Sequence, residues 1–304
     1  SDAILTNSDL LFSLHSGANL ISFPYSGSVD VGSSLPDEIE SFVTGVITEG
    51  GATSQIAPGF WAGSMTSFNG GKGYWMITTE DISFSFDISA IGRSNNLNHK
   101  ERVYPPGYSI DQSTNQAFYF IEDIYLGNVR ISEGDWVLAF NNKTLVGARQ
   151  WDGRFTDIPA MGNDEMLNLY DYCKFGSSVR FEIHQNGGKI FHVVDTTPLW
   201  SNNAIFNVDR LTALEIPSET AISSVYPNPF NPITNITFGI ESDSHVIAKI
   251  YDITGKEIVE LTNSNYISGY HSLVWNANEY SSGMYLLVIN GNGVTNTQKL
   301  MLLK

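Results

Sequence analysis

Apolar side chains in this chain come in short alternating runs, and that period of two limits the chain to β structure. Ile236, Phe238 and Ile240 are separated by Thr237 and Gly239, which puts the three on one face of an extended strand. Similar runs recur along the sequence between Gly, Asn, Ser and Thr turn signals, and together they predict an all-β fold. Helix signals are scarce. The best covers 35–42, where Ser34 is placed to cap and Pro36 fits the first turn.

A chain of 304 residues is long enough for two or three domains, each with its own core. Asp and Glu number 32 against 16 Lys and Arg, giving a formal charge of −16. Such a surface repels phosphate backbones and anionic lipid, which argues against nucleic-acid and peripheral-membrane roles and leaves divalent cations open. Cys173 is the one cysteine, so an internal disulfide and any cysteine-based zinc or iron–sulfur site are excluded. It is expected to pack as a small hydrophobe. No apolar run approaches the roughly 20 residues of a bilayer span, so no transmembrane segment is expected. The sequence opens at Ser1 without Met or an apolar leader, as a mature chain does after signal-peptide removal and as a trimmed chain also would.

Two polar stretches divide the chain. RSNNLNHKERVYPPG at 93–107 reads as a linker, and EIPSETAISS at 215–224 as a second boundary. The expected organisation is three consecutive β-rich domains, 1–94, 95–216 and 217–304. In the second, FEIHQNGGKIFHVV is a hairpin signal centred on Asn186-Gly187. A two-residue turn there pairs His184 with Lys189 and His192 with Phe181, placing the two histidines on opposite faces and arguing against a shared metal. In the third, alternating runs at 236–240, 246–252, 257–261, 271–277, 284–290 and 297–303, with one more before Tyr226, predict a small antiparallel sandwich. Proline fixes φ and biases its predecessor toward extended backbone, so Pro227, Pro229 and Pro232 form a rigid lead-in rather than a helix or central strand.

The blocks YPNPFNP, KIYDITGKEI, SGYHSLVWNA, SSGMYLLVI and KLMLLK, in that order over 223–304, resemble the C-terminal sorting domain of proteins exported by the type IX secretion system of Bacteroidetes-like bacteria. The resemblance implies a seven-stranded Ig-like sandwich that the type IX secretion machinery recognises at the outer membrane, and a protein delivered to the cell surface or extracellular space. In many members a sortase-like peptidase removes the tail and attaches the passenger to lipopolysaccharide. It places the sorting signal on Tyr226, Pro227, Asn228, Pro229, Phe230, Gly255, Gly269, Gly283, Lys299 and Lys304. An architectural reading stands beside it: glycines for turns that need positive φ, and Trp275 and Tyr285 for the core. Upstream, QSTNQAFYFIEDIYL, EGDWVLAFNNKTLVGARQWDG and DIPAMGNDE resemble a module repeated in secreted proteins with the same tail. SGANLISFP with FWAGSMTSFNGGKGYWMI resembles another β-rich module of such surface proteins.

Catalytic patterns are missing from the sequence: there is no G-x-S-x-G elbow and no H-E-x-x-H pair. Gly70-Gly71-Lys72-Gly73 runs straight into a strand and so reads as a hairpin turn, not a phosphate cradle. The acidic stretch WDGRFTDIPAMGNDE is irregular enough to fold back on itself. Asp152, Asp157, Asn163 and Asp164, beside Glu165, then offer the oxygen ligands of a structural calcium ion, or form a solvated loop. Six Trp admit a sugar-stacking platform, with Trp75 and Trp151 as candidates, or simply fill β cores. The alternation Ile4, Leu10, Phe12, Leu14 reads either as the chain's own first strand or as an arm that adds to a second copy. The expected function is a non-enzymatic structural or adhesive surface protein, possible as a filament subunit that keeps its sorting domain. The alternative is a carbohydrate-binding surface protein with polysaccharide as partner.

Overall fold

The computed structural model describes residues 10–92, 104–217 and 219–304. Among them are 24 strands and two helices of four residues each. The chain divides into two compact units, Ser1–Ala213 and Leu214–Lys304.

The first unit begins with a five-stranded sheet in the order Gly17–Ser22, Gly73–Thr78, Val43–Thr48, Gly51–Ala57, Phe60–Ala62. Two ribbons complete this part, Phe12–Leu14 with Ile82–Phe84 and Ser28–Asp30 with Ser67–Asn69. Between them Phe23, Phe68, Phe84 and Phe86 pack edge-on and stacked around Tyr74 and Met76. Phe12 and Leu14 therefore serve the chain's own strand, while Ile4 lies outside the described residues, as does 93–103 of the expected linker. The turn at Gly70–Lys72 carries the chain from one sheet into another instead of closing a hairpin, with Gly71 at φ 71°.

Of the helix expected at 35–42 a single turn forms, Asp37–Glu40, with Pro36 and not Ser34 at its N-cap. A separate turn, Val31–Ser34, precedes it, capped by Asp30, which accepts from the Ser33 N–H at 3.1 Å. Leu35 lies between them at φ −99°, ψ 129°, because the Pro36 ring crowds a helical backbone at the residue before it.

The rest of the first unit is an eight-stranded mixed sheet. Its order is Val129–Arg130, Gln116–Leu126, Ile205–Glu215, Ile190–Val193, Val179–His184, Trp136–Asn141, Thr144–Gln150, and Thr156–Met161 pairs with Gln116–Leu126 off that path. Gln116–Leu126 runs parallel to Ile205–Glu215 and is covered on both faces. Ala117, Tyr119 and Ile121 enter this sheet's own core with Phe181 and Ile183. Phe118 and Phe120 turn the other way and meet Ile47 and Ala52 of the preceding sheet. A strand buried twice loses the polar alternate positions of a half-exposed one, which is why AFYFI at 117–121 is a continuous apolar run.

The second unit holds seven strands in two antiparallel sheets, Ala221–Tyr226, Ile233–Ile240, Gly269–Asn276 and Glu257–Tyr266, Ser244–Asp252, Gly283–Gly291, Val294–Leu302. Their inward positions, among them Ile236, Phe238, Ile250, Trp275, Leu287 and Leu300, form one core.

Candidate functional site

The four calcium candidates point to different partners. Asp157 sits on Thr156–Met161 with its carboxylate only 2 % exposed. It accepts from Ser64 Oγ at 2.7 Å, the Ser64 N–H at 3.0 Å and the Ala52 N–H at 3.3 Å, and pairs with Arg149 at 3.1 Å. Burial pushes its pKa up, against the Arg149 charge and the Ser64 bond that favour the ionised form. Arg149 also donates to the Gly50 carbonyl at 3.0 Å, so this pair joins the two sheets of the first unit. Asp164 takes a bond from Thr114 Oγ1 at 2.9 Å and caps the Met166 and Leu167 N–H groups, with its pKa lowered first by Thr114. Asn163 is engaged with Leu169 and Asn115, and the Asp152 N–H bonds to Thr156. Among the described residues no three His, Cys, Asp or Glu are grouped to hold a metal ion.

The tryptophans are similarly dispersed. Trp151 is 4 % exposed in the main core, so neither ring face is open to a ligand. Trp75 packs against Ile47, Ala52, Phe118 and Phe120. Trp200 is buried and donates to the Ala160 carbonyl. The half-buried Trp61 is different. It donates to Glu40 Oε1 at 2.7 Å and lines an open concavity of about 430 Å³ with Asp30, Ser33, Glu40 and Phe60.

The hairpin at Asn186-Gly187 has a different register from the one read in sequence. His184 pairs with Ile190 and Glu182 with His192, so His184, Glu182 and His192 share a face instead of opposing one another. Gly188 at φ 86° is the reason. It adds a third residue to the loop, closed by Gly188 N–H to Gln185 O and Gln185 N–H to Lys189 O, both at 2.9 Å. One extra residue turns the returning strand over. Glu182 thus becomes a hub that sequence reading missed, held by Arg180, by His184 at 3.2 Å and by His192 at 3.4 Å. Burial alone would raise the Glu182 pKa; bonds from His184 and Arg180 override it and hold the group below the usual range. His192 is pushed down, first by burial and then by the Arg180 and His184 charges, against the pull of Glu182. The signal was present as the alternation Arg180, Glu182, His184 on one strand face.

In the segment 162–177 Cys173 packs as the small hydrophobe the sequence suggests, and the apolar residues around it matter more than the oxygen ligands. Leu169, Tyr172 and Cys173 are buried, and bridges Gly162–Cys173 and Asp164–Leu169 pin the backbone. Burial also pushes the Cys173 thiol up to about 12, so it is inert as a nucleophile. From this anchored frame Met166 is 93 % and Phe175 89 % exposed, with Leu167 and Tyr170 also outside. Beside it lies a concavity of about 620 Å³ between the loop and the hairpin turn of Trp136–Asn141 and Thr144–Gln150.

In the second unit the proline segment straps the last strand. Phe230 is buried against Trp275, with ring centroids 5.1 Å apart, and brackets the final strand by Phe230 N–H to Met301 O and Leu303 N–H to Phe230 O, both at 2.9 Å. Asn228 donates to Lys299 O at 2.8 Å and accepts from the Met301 N–H at 2.9 Å. Tyr226, Pro229, Lys299 and Lys304 are left exposed, and Pro227 partly so. Lys304 donates to the Asn278 carbonyl. Gly255 and Gly269 have φ 83° and 137°, whereas Gly283 lies outside the positive-φ region, a correction to the architectural reading of that glycine.

The second unit is thus a seven-strand body with its own core, its last strand held by the proline segment. Residues 224–303 match the family described as secretion system C-terminal sorting domain, and this tail belongs to it. Such a tail indicates export through the type IX secretion system to the cell surface or extracellular space. The search of curated proteins finds no match. Among solved structures the chain is similar to dimeric latent PorU from Porphyromonas gingivalis, at 10% identity and TM-score 0.23, with 96% of this chain and 34% of that chain covered. A β-glycosidase from Bacteroides vulgatus matches at 8% identity and TM-score 0.20, over 62% of this chain and 25% of that one. The chain therefore spans about a third and a quarter of those two proteins.

Proposed function

We propose that the chain is a non-enzymatic adhesive protein of the cell surface or extracellular space, borne there by an Ig-like sorting domain. The observation that carries this reading is the anchored segment 162–177, which holds Met166 and Phe175 out in solvent. Large apolar side chains displayed from a pinned backbone are what a contact surface needs, since little ordering is required on binding. The filament version, with strand addition from the amino-terminal arm, has less support because Phe12 and Leu14 already pair with Phe84 and Ile82. The test is adhesion of source cells carrying Met166→Ser/Phe175→Ser. Adhesion should fall while the melting temperature holds; unchanged adhesion would remove the reading.

A second reading, carbohydrate binding, is supported by Trp61. A half-buried indole beside Asp30 and Glu40 combines a stacking face with acceptors for sugar hydroxyls. Polysaccharide pull-down with Trp61→Ala tests it, and retention equal to that of the unaltered protein would end it.

A further inference from the structure

We propose that the concavity between the turn at Asn142–Lys143 and the segment 170–177 binds an acidic saccharide, a sugar carrying carboxylate, sulfate or phosphate. This deepens the carbohydrate reading at a different place from Trp61 and rests on a binding role for the first unit. The walls are Asn141, Asn142, Lys143 and Thr144 on one side and Tyr170, Asp171, Lys174 and Ser177 on the other. They are fixed to each other. Asn141 Nδ2 donates to the Asp171 carbonyl at 2.8 Å, and Arg180 reaches the Asn142 carbonyl from beneath at 3.4 Å.

Charge selects the ligand. Acids outnumber bases two to one in this chain, and Arg130, Arg149, Arg154, Arg180 and Lys249 all have carboxylate partners. Among the described residues neither Lys143 nor Lys174 has an ion-pair partner, yet both line this one hollow, with Asp171 the only carboxylate in its wall. Two unneutralised ammonium groups facing a shared space favour an anion.

The remaining lining selects a sugar over a bare anion. Tyr170 is 56 % exposed, and its hydroxyl donates to Asn168 Oδ1 at 3.3 Å, which steadies a ring face for stacking on a pyranose. The Asn142 amide, the Thr144 hydroxyl and the Asp171 carboxylate supply donors and acceptors for sugar hydroxyls. A volume of about 620 Å³ accommodates a short oligosaccharide. Lys143 and Lys174 would meet the acidic substituents, Tyr170 the ring.

The test is calorimetric titration of the full chain with oligogalacturonate, sulfated dextran oligosaccharide and phosphorylated mannan, against neutral dextran and inorganic polyphosphate, at low and high salt. At least one acidic saccharide should bind, weakening with salt, and neutral dextran should bind about tenfold more weakly or not at all. Lys143→Gln/Lys174→Gln should lower the affinity by about tenfold, Lys143→Arg/Lys174→Arg should restore it, and Tyr170→Ala should weaken saccharide while leaving the melting temperature unchanged. Silence from all three acidic saccharides, polyphosphate binding as tight as saccharide, or a double Gln variant that binds like the unaltered protein would each overturn the proposal. Loss of binding by Trp61→Ala with this site intact would concern the other hollow, so the two readings fail separately.

Discussion

Asp157 is a polar tie between the two sheets of the first unit, beside the apolar contact of Phe118 and Phe120. Its carboxylate is desolvated, and Arg149, Ser64 and the Ala52 N–H all converge on it. Removing one member of such a pair leaves the other buried and uncompensated, so Asp157→Ala should lower stability by about 3 kcal/mol in urea denaturation. The pH dependence has a definite sign. Because burial raises the folded pKa, the folded state keeps its proton where the unfolded chain, with a pKa of ~3.9, has lost it. On this group's account stability is fully present below that unfolded value and declines as pH rises through the folded one. Asp157→Asn removes the titration and should flatten the profile in that window, measured as urea midpoints across the acid range; parallel profiles would count against it. Glu182 has the opposite sign. Its folded pKa is lowered, so its contribution is present above the unfolded value and is lost as pH falls through the folded one, and Glu182→Gln should remove that acid-side loss. Neither role was legible in sequence. Asp157 is 93 residues from Ser64 and 105 from Ala52, and the spacing of acids around it suggested a loop when Asp157 was in fact on a strand.

At the scale of elements, the period of two was informative and the turns were less so. The strand runs read in the last third lie inside the observed elements apart from single residues at Ala277 and Leu303: 236–240 inside Ile233–Ile240, 246–252 inside Ser244–Asp252, 284–290 inside Gly283–Gly291. Each of these strands faces one core, so its sequence carries the alternation. The hairpin at 185–189 failed by one residue because Asn186-Gly187 is a strong two-residue turn signal, and only the conformation of Gly188 shows that a third residue is used. An L side chain at that φ costs about 1–2 kcal/mol, so Gly188→Ala should destabilise the first unit by that amount in thermal melts. Gly283 offers a contrast. Its φ lies outside the positive region and a methyl group there would meet nothing nearer than Ser281 O at 4.0 Å, so Gly283→Ala should change stability by less than about 0.5 kcal/mol. If the variant folds normally and export falls, the glycine is read by the secretion machinery; normal export would assign it no part in the signal.

The whole molecule was legible at its end and not at its middle. The tail is compact and local, with every strand within its own 91 residues, Leu214–Lys304, so its blocks were readable in order. The union of the two upstream sheets depends on Phe118 and Phe120 meeting Ile47 and Ala52, and nothing in the run QAFYFI says what its second face covers. The aromatics that packed as core, Trp151 and Trp75, could not be told from a ligand platform for the same reason: exposure is a property of the assembled sheets. Separate cores have a measurable consequence. Phe230 fills the middle of the tail core against Trp275, and Phe→Ala truncations at such sites cost about 3–5 kcal/mol. Phe230→Ala should therefore lower the transition of Leu214–Lys304 while that of Ser1–Ala213 stays in place, resolved by calorimetry or by tracking near-ultraviolet signals of Trp275 against those of the other tryptophans. A matched lesion, Phe120→Ala, removes a ring from between the two upstream sheets and should move only the other transition. Two variants that each shift both transitions equally would mean that the chain melts as one cooperative body, and the tail would then have to be treated as part of the passenger's own stability instead of a module folded in its own right.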